Sequence, residues 1–169
     1  EQQQENALFN VEQSGDFQAQ ITEIQNELGA NPEDVNLHVE LALTFLASGD
    51  QENALKVASD LAALAPESHL ISLVQAEIAV SQGNPAEAVS ALRGAVKENP
   101  ASALAQYKLG EQLAETGEYN EAIAHLAIAA ALNPTDKEVF KELKEVFAKT
   151  NKTIAKALQN SQFLMRQEM

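Results

Sequence analysis

The chain has 169 residues, 45% of them apolar, with no Cys, no Trp and a formal net charge of −14. That apolar share excludes a disordered acidic tail, and the missing thiols exclude disulfides and thiolate metal centres. No apolar run reaches the roughly 20 residues that a membrane-crossing helix needs, and the acidic balance argues against nucleic acid, whose phosphates call for a basic stripe.

The charge is unevenly placed. Residues 1–68 hold one base, Lys56, against 13 acids and carry −12; residues 69–136 carry −5; residues 137–169 hold seven bases against four acids and carry +3. A charge run is usually a solvated face. The sharper reading is a polarity along the chain, selecting a basic partner at one end or a second copy head to tail.

Asn31-Pro32, Ala65-Pro66, Asn99-Pro100 and Asn133-Pro134 recur at one fixed interval, and Gly15, Gly49, Gly83 and Gly117 keep the same interval. Two independent markers on one period make an internal repeat, and a period of this length predicts stacked helix pairs. Registered on the glycines, the units are 1–34, 35–68, 69–102, 103–136 and 137–169. Each is expected as helix, tight turn, helix and proline-marked connection, with Gly at the left-handed end of the first helix.

In chain order, the first unit is atypical, with Leu8 and Gln20 where later units carry small residues. The second has Leu41-Ala42, Phe45, Gly49, Ala54 and Pro66, and the third Ala76, Gly83, Ala88, Leu92, Ala95 and Pro100. The fourth is the clearest, with Leu109-Gly110, Leu113, Gly117, Tyr119, Ala122, Leu126, Ala129 and Pro134. In the fifth, Asn151 takes the glycine position, and Lys144 and Lys156 the small positions. Val139, Phe140, Leu143, Val146 and Phe147 form one apolar stripe, and Ile154, Leu158, Ser161 and Met165 another. The fifth unit is expected to be a capping helix pair, or else its second helix extends away as a rod.

This alternation of large and small residues resembles the tetratricopeptide-repeat family over essentially the whole chain. The resemblance implies an all-α, right-handed α–α solenoid of about five helix pairs with degenerate ends, forming a single domain over 1–169. The aromatic that often opens the family's first helix is replaced by Gln4, His38, Ser72 and Gln106, with only Phe140 conforming. The family's first helices line a concave face, which here implies a groove of Phe9, Val39, Leu43, Leu46, Leu70, Leu73, Glu77, Val80, Tyr107, Glu111 and Glu115. Some relatives clamp acidic C-terminal peptides there with Lys, Asn and Arg. Val39, Leu43, Leu73, Glu77, Tyr107 and Glu111 stand at those places instead. The expected ligand is a basic, amphipathic helix or peptide.

No phosphate-binding glycine loop surrounds Gly29 or Gly110. His38, His69 and His125 lack a second His four residues on, so no helical metal pair exists. His38 is expected as a packed residue, and Glu121 with His125 as a plain side-chain pair. Ser48 and Ser81 have no nearby His and acid, and Asn151-Lys152-Thr153 is a glycosylation sequon in form only. The expected protein is therefore a non-catalytic protein–protein interaction scaffold with no cofactor and no metal. The alternatives are a self-assembly module, dimeric or head to tail, and an accessory domain of a larger, membrane-tethered protein. The chain starts at Glu1 rather than Met, so a targeting segment, anchor or domain is expected to have preceded it, in a bacterial cytoplasm or periplasm.

Overall fold

The computed structural model describes the backbone of residues 16–167 and the side-chain surroundings of residues 16–153. Among them are eight helices and no strand: α1 (Phe17–Ala30), α2 (Val35–Ala47), α3 (Gln51–Leu64), α4 (His69–Ser81), α5 (Pro85–Glu98), α6 (Ala103–Glu115), α7 (Tyr119–Leu132) and α8 (Lys137–Gln167). Helices α2, α4, α6 and α8 begin at the repeat interval, at Val35, His69, Ala103 and Lys137, and α1, α3, α5 and α7 keep the same spacing. Each helix packs on its neighbours in sequence, the arrangement of an all-α helical-repeat solenoid.

Local chemistry sets these boundaries. The Asp34 carboxylate accepts from the backbone N–H of Asn36 at 2.9 Å and of Leu37 at 3.2 Å, opening α2. Asp50 accepts from Asn53 N–H at 3.1 Å, Ser102 from Ala105 N–H at 3.0 Å, and Asp136 from Glu138 N–H at 3.0 Å. Such caps satisfy donors that a helix start leaves free. Pro85 opens α5, where its missing N–H costs nothing. At the other end of the first helices, Gly49, Gly83 and Gly117 take φ of +85°, +72° and +86°. The next residue's N–H then returns to a helix carbonyl, as Asp50 does to Phe45 O at 2.8 Å and Glu118 to Leu113 O at 2.8 Å. Gly15 lies outside the described residues.

The fifth unit departs from the expected helix pair. It is one continuous helix of 31 residues, and Asn151 lies within it with no positive φ. Asn adopts the left-handed turn at a steric cost that Gly escapes. Continuing the helix satisfies the backbone instead. The Thr150 and Thr153 hydroxyls donate back to Val146 O at 2.9 Å and Lys149 O at 3.0 Å, within the helix. The extended rod is the arrangement observed. The side chains of its second stripe, Ile154 to Met165, lie outside those described, as does the first helix expected over residues 1–15.

The core follows the repeat. One cluster joins α1 to α4 and includes Ile24, Val39, Phe45, Leu61, Ile71, Val74 and Ile78. A second joins α4 to α8 and includes Leu73, Ala76, Leu92, Leu109, Leu113, Leu126 and Val146. Helix α4 thus buries opposite sides in two clusters, and Leu70 packs against both. Ala42, Ala54, Ala76, Ala88 and Ala122 are buried where first and second helices cross. At the α6–α7 crossing, a Cβ added to Gly110 would lie 2.6 Å from Leu126 Cγ and 3.1 Å from the Ala122 carbonyl oxygen.

Thermal and urea unfolding check this packing. Gly110→Ala, Ala88→Leu and Ala122→Leu should each cost roughly 1–3 kcal/mol through overpacking. Gly117→Val should destabilise through its backbone conformation alone, since nothing lies within 4 Å of its added Cβ. Gly29→Ala, also with open space but without the positive φ, should be neutral or stabilising by up to ~1 kcal/mol. A Gly110→Ala protein with wild-type stability would contradict the close crossing.

Candidate functional site

The structure divides the sequence-predicted groove residues. Val39, Leu43 and Leu73 are buried in the core and do not line an open face, a correction to the sequence reading. The cause is that each first helix packs both on its own second helix and on the adjoining unit, as α4 does against α2, α3 and α5. Leu46, Leu70, Glu77, Tyr107 and Glu111 are half-buried, whereas Val80 and Glu115 are exposed. Phe9 lies outside the described residues. Val80, Glu111 and Glu115 come together: with Gly83, Asn84, Pro85 and Gln112 they line an open depression of about 460 Å³ between the α4–α5 turn and α6.

Negative charge gathers around Tyr107 and Glu111. Lys108 Nζ lies 2.5 Å from a Glu77 carboxylate oxygen, tying α6 to α4. Burial pushes the Glu111 carboxyl above the usual glutamate range; Lys108 opposes this, while Glu142, Glu77 and Glu115 add to it. Burial likewise raises the Tyr107 hydroxyl, reinforced by Glu111, Glu142, Glu138 and Asp136. Sequence reasoning missed Lys108 and Glu142. The repeat carried the signal, since Glu142 stands one full repeat after Lys108 and Lys108 lies one helical turn before Glu111.

A second network joins α5, α6 and α7. The Arg93 guanidinium holds both carboxylate oxygens of Glu121, with Nη2 donating to Oε2 at 3.0 Å, and Glu118 lies 3.8 Å away. The arrangement exceeds a plain Glu121–His125 pair: His125 Nε2 is 3.7 Å from Glu121, and its Nδ1 lies 2.7 Å from Gln106 Oε1. Gln106 is buried, and its Nε2 donates to Pro100 O at 3.0 Å. Burial lowers the His125 pKa, opposed by Glu121. His38 is half-buried, with Nδ1 2.9 Å from the Asp34 carbonyl. The Ser48 and Ser81 hydroxyls donate to Phe45 O at 2.9 Å and Ile78 O at 2.7 Å, a helix-ending role. Among the described residues, no His, Cys, Asp and Glu group could hold a metal, and no helix is long and apolar enough to cross a membrane.

Residues 73–137, spanning the third and fourth units, match the tetratricopeptide repeat model. The third and fourth units are tetratricopeptide repeats. It is similar to TTC0263, a thermophilic tetratricopeptide-repeat protein of Thermus thermophilus, with 27% identity over 88% of this chain and 82% of that one and a TM-score of 0.70. MamA superposes at a TM-score of 0.64 with 21% identity, over 91% of this chain and 94% of that one. The type III secretion chaperone SycD of Yersinia enterocolitica, solved with a peptide of the translocator YopD, gives 0.57 with 22% identity, over 65% and 89%. The likeness to MamA and SycD is one of fold. No curated protein matches the chain.

The Glu111 shift sets the direction of a pH dependence. A carboxyl whose folded pKa is raised contributes stability below its ordinary 4.5, and loses it as pH rises through the raised value. Glu111→Gln should therefore raise the melting temperature at neutral pH and give no gain below pH 4.5. Calorimetry at the two pH values decides; an equal gain at both would exclude ionisation as the cause.

Proposed function

We propose that the chain is a non-catalytic protein–protein interaction scaffold that holds a basic, amphipathic peptide or helix on the face built by α2, α4 and α6. The observation that carries this reading is the concentration of carboxylates around a half-buried aromatic. Tyr107 and Glu111 are both held in the protonated direction by burial and surrounding acids, with Lys108 engaged by Glu77. A cation delivered by a partner would relieve that crowding, and partial burial strengthens the attraction. Apolar contact would come from Leu46, Leu70, Val80 and Tyr107, since Val39, Leu43 and Leu73 are enclosed. The peptide held by SycD and the peptide-binding site ascribed to the tetratricopeptide-repeat protein YrrB support the reading, as cases in which this fold serves such a role in those proteins.

Titration with a synthetic amphipathic helix carrying Lys or Arg on its polar face tests the proposal. Tyr107→Ala combined with Glu111→Gln should weaken binding about tenfold or more, as expected when an aromatic anchor is truncated. Binding should also weaken with salt and leave an apolar remainder. Equal affinity of wild type and double variant, or preference for an acidic peptide of the same pattern, would overturn the reading.

A further inference from the structure

Among the described residues, helix α8 is a first helix with no second helix packed on it. In the preceding pairs the second helix covers the first. Phe147 stands at the repeat position of Phe45, Ala79 and Leu113, which are 8%, 1% and 0% exposed, yet it is 47% exposed itself. Phe140 stands where Gln106 is 3% exposed, and is 48% exposed. Between them on this face, Lys144 occupies the crossing position of Ala42, Ala76 and Gly110. Helix α8 runs unbroken to Gln167, so its own continuation does not turn back over the face.

The opposite end carries the complementary element. By the same register, α1 is a second helix. Glu27 stands where Leu61, Ala95 and Ala129 are buried against their first helices, and Glu23 where His125 meets Gln106 of its own first helix. Both glutamates are exposed. No Lys or Arg precedes Lys56 in the sequence. Glu40 registers the crowding: burial raises its carboxyl first, and Glu27 and Glu23 raise it further.

We propose that the open face of α8 receives α1 of a second copy of this chain, head to tail, covering Phe140 and Phe147 and placing Lys144 over the turn between Gln20 and Ile24, where its long side chain reaches Glu23 and Glu27. The aromatic pair supplies apolar burial, and the opposite net charges of the two ends supply orientation. Such a contact joins unlike surfaces, so it propagates into short filaments or closes as a ring. Its residues are not those of the proposed peptide-binding face, and Glu111→Gln should assemble as wild type does.

Sedimentation velocity and light scattering test the proposal on the full chain. The mass of the wild type should rise with concentration. It should fall as salt goes from about 0.1 M to about 1 M, which shortens the screening length from ~10 Å to ~3 Å. A tail-blocked chain, Lys144→Glu with Phe147→Asp, should stay monomeric. So should a head-blocked chain, Glu23→Lys with Glu27→Lys. All four positions are exposed, and circular dichroism should confirm that both variants fold. Mixed, the two should form a 1:1 heterodimer, because each retains the end that the other lost. A wild type monomeric at every concentration would assign the face to another occupant, such as residues 1–15 or an unrelated protein, and overturn the proposal. Self-association of either blocked chain, or no heterodimer on mixing, would overturn it equally.

Discussion

The distance between the two helices of a pair is the constraint on which the rest depends. Alanine or glycine at each crossing lets backbones approach until side chains of one helix fill the gaps of the other. At Gly110 no room remains for a single added carbon beside Leu126. With that approach fixed, the leucines and valines flanking each crossing reach the adjoining unit, and the pairs build two clusters that Leu70 links. Large residues at the crossings would leave the regular interval in the sequence without a repeating structure to express it.

Helix boundaries were legible because they are local. Caps, left-handed glycines and prolines act within a turn of their own position, so equal spacing in sequence becomes equal spacing of helix ends. Gly110 and its alanine counterparts were legible too, since crossings recur with the repeat. The candidate face was less so. Which side of α2 and α4 remains open depends on how adjoining units seal it, and that put Val39, Leu43 and Leu73 inside while leaving Val80 and Glu115 outside. The end of the array turned on a competition at one residue, where Asn151 keeps to the helix rather than take a turn that costs glycine nothing.

Charged contacts join consecutive units on more than one helix pair. Lys108 reaches back to Glu77 between α6 and α4, and Arg93 reaches forward to Glu121 between α5 and α7. The Arg93–Glu121 pair is exposed and adds little stability, whereas Lys108 and Glu77 are half-buried. Their value lies in orientation, because each links helices of neighbouring units and so favours one rotation of unit on unit. Acids crowd one another around Glu111 at one place and around Glu40, with Glu23 and Glu27, at another.

Two-sided burial of α4 bears on how the molecule comes apart. Arrays in which each unit touches only its neighbours can open piecemeal, from whichever end is weakest. Here Ile71, Val74 and Ile78 belong to one cluster, Leu73 and Ala76 to the other, and Leu70 touches both. Fraying from α1 or from α8 would reach the same helix, and neither half can melt fully without exposing a side of it. Amide protons of α4 would be the last to exchange, and those of the outer helices the first. The molecule would breathe at its two tips around a central rod that both halves protect.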